Sequence, residues 1–267
     1  GWDVVDRMEW GNSIVNLDWQ CAGALKFIEE SQEQPFFLYC ALPVPHGQYY
    51  FNYNDVTSYD QRVTSAGVFE EPIVVLPTAE DVLRRTKAAG IPEKNAMATR
   101  MDDYVGAVLG QLDALGLREN TMVIFTSDHG SRGKNSVFEG GAKVPMMVVW
   151  PEHIQAGVEN DSLIGNIDIA STLIEVAGGN APPDMVQDGR SFMSQLLGQP
   201  EPTDWRKSML IEAGNSRAIV TRDWKYVANR VPPEIEAKMK ARPGEVFWTG
   251  VDHHNYQTEE MYPAYWD

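Results

Sequence analysis

The chain has 267 residues, 43% hydrophobic and 22% charged, a mixed composition that suits a soluble globular protein of one or two domains and excludes a low-complexity chain. Its formal net charge of −16 excludes the nucleic-acid backbone as a partner and opposes anions at long range, but charges are screened over about 10 Å at 0.1 M salt, so a few local cations still hold an anion in a cleft. No apolar run approaches the length of a bilayer span, so no membrane partner is expected; Gly1 opens no leader pattern, and WDVVDRMEW reads as the interior of something longer.

From about Ser13 to Glu30, Leu17, Cys21, Ala24, Leu25 and Ile28 recur at helical spacing and leave Asp18, Lys26, Glu29 and Glu30 largely off the apolar face. SQEQP ends this packing helix. Phe36 to Leu42 is a continuous apolar run of the kind found in buried strands, and PVPHG follows it, placing His46 in a loop just past a strand end. A histidine in such a loop is either an ordinary turn residue or a site residue. Cys21 and Cys40, one on the helix and one on the strand, read first as two buried thiols, with a disulfide between them as the alternative.

Residues 49 to 90 are rich in Tyr, Asp, Thr and Pro without a sustained period and read as a long surface excursion, in which QYYFNYN either packs the loop or lines a substrate rim. Pro92 and Glu93 then open a helix whose stripe of Met97, Met101, Tyr104, Val105, Val108, Leu112 and Leu115 runs down to Gly116. The methionines are core. Asp102 and Asp103 are adjacent on that helix and point apart, so at least one belongs in solvent.

Thr121 to Trp150 is the stretch with the densest chemistry. Two apolar runs, Met122 to Thr126 and Met146 to Trp150, look like strands buried on both faces, and between them lies a polar, glycine-rich loop. Asp128 and His129 stand at the carboxyl end of the first strand, where open α/β sheets bind ligands, and offer an oxygen and an imidazole donor; Lys134 follows within reach of an anion sharing a cation with them. The structural alternative is an Asx turn closed by Asp128, with Gly130 at positive φ. Glu139 reads as a structural carboxylate or as an acid, and Lys143 as a supporting surface cation.

Ile167 to Ala177 is an amphipathic helix with Asn166 or Asp168 near its start and Gly178-Gly179 at its end, PPDMVQDGRS is a turn-rich connector, and Phe192 to Leu197 is a short helix. GQPEPTD has linker composition. Beyond Asp204, SMLIEAG, RAIVTRD and WKYVANR read as three short strands, and EIEAKMKAR as a helix. The adjacent pair His253-His254 has no matching ligand spacing.

Taken in order, PFFLYCALPVPHG, MDDYVGAVLGQLDALGL, TMVIFTSDHG, GKNSVFEGGAKVP and RAIVTRDWKYV resemble the sulfatases of the alkaline phosphatase superfamily over roughly residues 35 to 228. The resemblance implies an α/β fold with a mixed, largely parallel sheet sandwiched by helices and a smaller carboxyl-terminal antiparallel sheet, here as residues 1–204 and 205–267. It implies Asp128 and His129 as metal ligands, Lys134 and His46 as sulfate contacts acting in catalysis, calcium as the metal with magnesium as the alternative, and a sulfated small molecule or carbohydrate as substrate. It also favours export from the cytoplasm. Gln48 departs from the family's Pro-His-x-Pro, which loosens the loop more than the chemistry.

The family's nucleophile is a formylglycine made from Cys or Ser in Cys/Ser-x-Pro-x-Arg. Leu25 stands four positions after Cys21, and Val44 four after Cys40, so neither fits. The paired aspartates that complete the metal site are also not found. Calcium takes about six to eight ligands, so two residues of one turn bind it weakly. Three readings follow: a sulfate ester hydrolase whose nucleophile lies outside this sequence, a phosphodiesterase or phosphonate hydrolase of the same superfamily, or an inactive fragment or partner chain.

Overall fold

The computed structural model describes residues 3–9, 16–45, 60–130, 136–214, 216–230 and 233–241, which fall into two compact units, Gly1–Thr121 and Met122–Asp267. In the first unit, α1 (Leu17–Ser31) begins where the Asn16 side chain accepts from Trp19 N at 3.0 Å, a cap that contributes about 1 kcal/mol. Leu17, Cys21, Ala24 and Ile28 are buried as the period requires. Asp18 is buried too, against expectation. Its carboxylate accepts from Val75 N at 2.9 Å, Leu76 N at 2.8 Å and Gln61 Nε2 at 3.0 Å and pairs with Arg100, so a charge that would be costly in the core is fully compensated.

Residues 36–42 form no ladder among the described residues. They alternate instead, with Leu38, Cys40 and Leu42 packed on the core and Phe37 and Tyr39 more than half exposed, so the expected both-face burial is not met. A small hairpin follows, β1 (Val63–Thr64) with β2 (Gly67–Val68). Then comes α2 (Ala79–Ala88), a helix within the stretch read as irregular. Only Val82 and Thr86 are buried on it, which is too short an apolar stripe to show a period. Its ends are nevertheless marked: Thr78 Oγ1 accepts from Asp81 N at 3.2 Å, acids fill the first turn and Arg85 and Lys87 the last.

A 3-10 turn at Glu93–Asn95 leads into α3 (Ala96–Ala114), which buries Met97, Tyr104 and Leu112 beside Arg100. Asp102 is exposed as expected, whereas Asp103 pairs with Arg85 of α2 at 2.6 Å. The core of this unit gathers residues of α1, α2 and α3 with Val44 and Leu76. Both cysteines are free thiols.

In the second unit β3 (Val123–Thr126) pairs with β4 (Met146–Val149) antiparallel, Val123 opposite Val149 and Thr126 opposite Met146. The chain leaves β3 at Thr126 and returns beside it, a path that only an antiparallel pair permits without a crossover. Neither strand is buried on both faces: every β3 residue is partly exposed, and Met147 and Val149 of β4 point outward. The single turn α4 (Glu139–Ala142) lies between them in sequence. Next come α5 (Ile167–Val176) and α6 (Met193–Leu196).

Asp168 in the first turn of α5 is fully buried. It accepts from Gly165 N and Arg190 N, each at 2.8 Å, and its two oxygens meet the Arg206 guanidinium, with Arg206 Nη2 2.6 Å from Oδ1. β5 (Met209–Ala213), β6 (Ser216–Val220) and β7 (Lys225–Asn229) form the expected antiparallel meander in the order β5-β6-β7, followed by α7 (Pro233–Ala241). All ladders among the described residues are antiparallel.

Candidate active site

The chain turns sharply after β3. Thr126 Oγ1 donates to Pro145 O at 3.0 Å, Ser127 Oγ donates to His129 O at 2.8 Å, and His129 N donates to Asp128 Oδ1 at 2.9 Å. Asn166, just before α5, donates to Ser127 O at 3.2 Å. These bonds hold the turn at both ends while leaving the Asp128 side chain 84% exposed and that of His129 32% exposed.

Gly130 is required here for a reason other than the expected one. Its φ is not in the left-handed region; instead, a Cβ at this position would lie 2.1 Å from Gly140 O, and Gly130 N donates to Gly141 O at 2.8 Å. Close approach of two backbones, not a turn dihedral, excludes a side chain. The expectation of positive φ is corrected accordingly.

The imidazole of His129 is oriented by a hydrogen bond between Nδ1 and Gly130 O, 2.7 Å apart. Because a carbonyl only accepts, Nδ1 carries a proton, which makes Nε2 the nitrogen turned toward the Asp128 carboxylate. Nε2 lies 3.5 Å from Asp128 Oδ2. Donors at that separation suit two neighbouring positions in the shell of a cation with ligands at about 2.3–2.6 Å. Among the described residues no group of three or more His, Cys, Asp and Glu side chains surrounds a common point, so the turn by itself offers two adjacent donors.

His46 and Lys134 lie outside the described residues, as do the tyrosine-rich stretch at 48–54 and His253-His254. Lys143 is exposed, as a supporting cation would be. Glu139 is structural: its carboxylate pairs with Lys225 of β7, which also donates to Val137 O at 3.0 Å. Neither cysteine is a nucleophile in waiting. Burial, with Asp18 nearby, pushes the Cys21 thiol up to about 12, and burial raises that of Cys40, so both stay protonated at neutral pH.

The Sulfatase family model matches residues 21–179, more than half of the chain. The chain belongs to the sulfatase family. It is similar to an ulvan-active sulfatase of Formosa agariphila, 28% identical over 276 residues covering 98% of this chain and 51% of that protein. It also resembles the N-acetylgalactosamine-6-O-sulfatase of Bacteroides thetaiotaomicron, 26% identical over 72% of this chain and 42% of that protein, and the steryl-sulfatase of Rattus norvegicus, 38% identical over 39% of this chain and 22% of that protein. This sulfatase chain therefore spans about half the length, or less, of these relatives.

Among solved structures, Ps i-CgsB in complex with a neocarrahexaose superposes with a TM-score of 0.60 at 20% identity, covering 94% of this chain and 52% of that one. A structure bound to D-glucosamine-2-N,6-O-disulfate gives 0.58 at 17% identity, covering 93% and 64%. At such identities the likeness carries the fold alone. That fold is the alkaline phosphatase-like α/β architecture with a small carboxyl-terminal antiparallel sheet, as the motifs implied.

Asn166, which donates to Ser127 O, and Lys225, which reaches Val137 O and Glu139, carry no signal of these contacts in the sequence. Asn166 was legible only as a helix cap. Lys225 lay inside a strand motif with no periodic or spacing signal linking it to the Asp128 turn.

Proposed function

We propose that the protein hydrolyses sulfate esters of carbohydrates, with Asp128 and His129 as two ligands of a divalent cation. The observation that carries this is the position of His129 Nε2, 3.5 Å from Asp128 Oδ2 with Nδ1 engaged by Gly130 O, at the end of β3 and within the stretch that matches the family. Carbohydrate sulfates are favoured because the relatives named above include an ulvan-active and an N-acetylgalactosamine-6-O-sulfatase.

Calcium, or magnesium in its place, supplies positive charge that polarises the sulfate oxygens when bound. The nucleophile is assigned to a formylglycine motif outside residues 1–267, since neither cysteine here sits in such a motif. Lys134 is assigned to the sulfate, where its ammonium offsets the anion's charge. His46 is assigned to the leaving side, where an imidazolium donates a proton to the alcohol oxygen as the S–O bond breaks. Positive groups fixed in advance of the reaction are the main source of rate in such a site.

The test is a sulfate ester assay. The chain alone should not turn over 4-nitrophenyl sulfate, whereas a protein that joins it to the sequence encoded upstream should do so. In that protein Asp128→Asn should lower kcat/KM by more than about a hundredfold, since even an outer partner of a metal ligand is worth 10–100-fold. Turnover by residues 1–267 alone, or an unaffected Asp128→Asn enzyme, would overturn the reading. Preference for an aryl phosphodiester over the sulfate would reassign the substrate.

A further inference from the structure

Lys225 belongs to a ladder, opposite Val220 in the carboxyl-terminal sheet, but its ammonium does not serve that sheet. It reaches Val137 O at 3.0 Å and the Glu139 carboxylate, and its side chain is only 16% exposed. Val137 is wholly buried. The two contacts flank the start of α4, a single four-residue turn. A helix so short cannot hold its own shape and takes its position from tertiary contacts.

What α4 presents in turn is Gly141, whose carbonyl accepts from Gly130 N at 2.8 Å, with the Gly140 carbonyl pressed against Gly130. Gly130 O then takes the Nδ1 proton of His129 at 2.7 Å. An unbroken series of contacts thus runs from the ammonium on β7 through Glu139, α4 and Gly130 to the imidazole. An exposed ion pair would contribute little, but this one is half shielded and shares its cation with the carbonyl of a buried residue.

We propose that Lys225 is a positioning residue for the Asp128–His129 turn, holding α4 so that the Gly141 carbonyl fixes Gly130 and, through it, the ring of His129. Only its consequence for metal binding rests on the proposed function; the mechanical coupling does not. β7 is a suitable anchor because its backbone is tied into a three-stranded ladder.

Amide hydrogen exchange on the full chain tests it, comparing wild type, Lys225→Met and Lys225→Arg, with Ala218 and Val227 in the sheet as internal references. Lys225→Met should speed exchange at Gly130 and Gly141 by about tenfold or more while the references hold within about twofold, because local opening and global unfolding report separately. Lys225→Arg should restore protection, since it keeps the cation. If Lys225→Met fails to fold, Glu139→Gln keeps the side-chain shape and should move the same two amides in the same direction.

Wild-type exchange rates at Gly130 and Gly141 in the Met and Gln variants would overturn the proposal. In a second arm, on the protein that joins this chain to the sequence supplying the remaining ligands, millimolar calcium should slow exchange at His129, and Lys225→Met should need about tenfold more calcium for equal protection, the scale of an outer-shell loss. No calcium effect in that joined protein, with Gly130 still loosened by Lys225→Met, would refute the metal assignment and support the Lys225 coupling.

Discussion

Asp18 of α1 and Arg100 of α3 form an ion pair closed off from solvent, with side-chain exposures of 0% and 1%. Asp18 also accepts from Val75 N and Leu76 N, while Arg100 donates to Pro77 O, so the pair pins the 75–77 segment between two helices. Removing one partner leaves a buried charge with nothing to offset it. Asp18→Ala or Arg100→Met should each destabilise the first unit by about 3–5 kcal/mol, and a double change to leucines should cost less than either. Denaturant midpoints of the three variants decide this; additive losses would show that the two charges act independently.

Two glycines offer a matched pair of steric tests. A Cβ on Gly130 would lie 2.1 Å from Gly140 O, and one on Gly189 would lie 1.9 Å from Ile167 O; both obstacles are backbone and cannot swing aside. Alanine at either position should cost about 1–3 kcal/mol of stability, as overpacking does. Only Gly130→Ala should also abolish calcium-dependent protection of the Asp128–His129 turn. Loss of that protection in folded Gly189→Ala would show that the effect is one of stability alone.

Chelation provides the metal test. A sulfatase that uses Asp128 and His129 as ligands should lose turnover in EGTA and regain it with calcium, and His129→Ala should raise the calcium concentration needed. Full activity after exhaustive chelation would count against a metal-assisted reaction.

The buried thiols give a pH prediction. With Cys21 raised from 9.0 to about 12, the folded state binds more protons than the unfolded chain between those values. Stability from this group is therefore complete below about pH 9 and falls as pH rises toward 12. Cys40 shifts in the same direction through burial. Iodoacetamide at pH 8 should leave Cys21 unlabelled in the folded chain and label both thiols in guanidinium; rapid labelling of native Cys21 would contradict its burial.

Helices with a long apolar stripe were legible because the stripe itself is the signal: α1 and α3 appear where Leu17 to Ile28 and Met97 to Leu112 repeat. α2 was missed because only Val82 and Thr86 are buried on it, although Thr78 and the charge order at its ends mark its limits. The strands Met122 to Thr126 and Met146 to Trp150 were legible as runs, but not their partner, direction or half-exposed faces. Apolar composition does not state which face is covered.

By itself the sequence determined the family and which donor types stand at the Asp128–His129 turn, since both depend on residue identity and short spacing. Only the tertiary structure decided which charges are buried, that Gly130 is needed for the approach of Gly140, and that Lys225, 97 positions beyond Asp128, reaches Val137 O and the Glu139 carboxylate at the start of α4. Those relations join residues distant in the chain. Packing and desolvation act through space, so no local pattern records them.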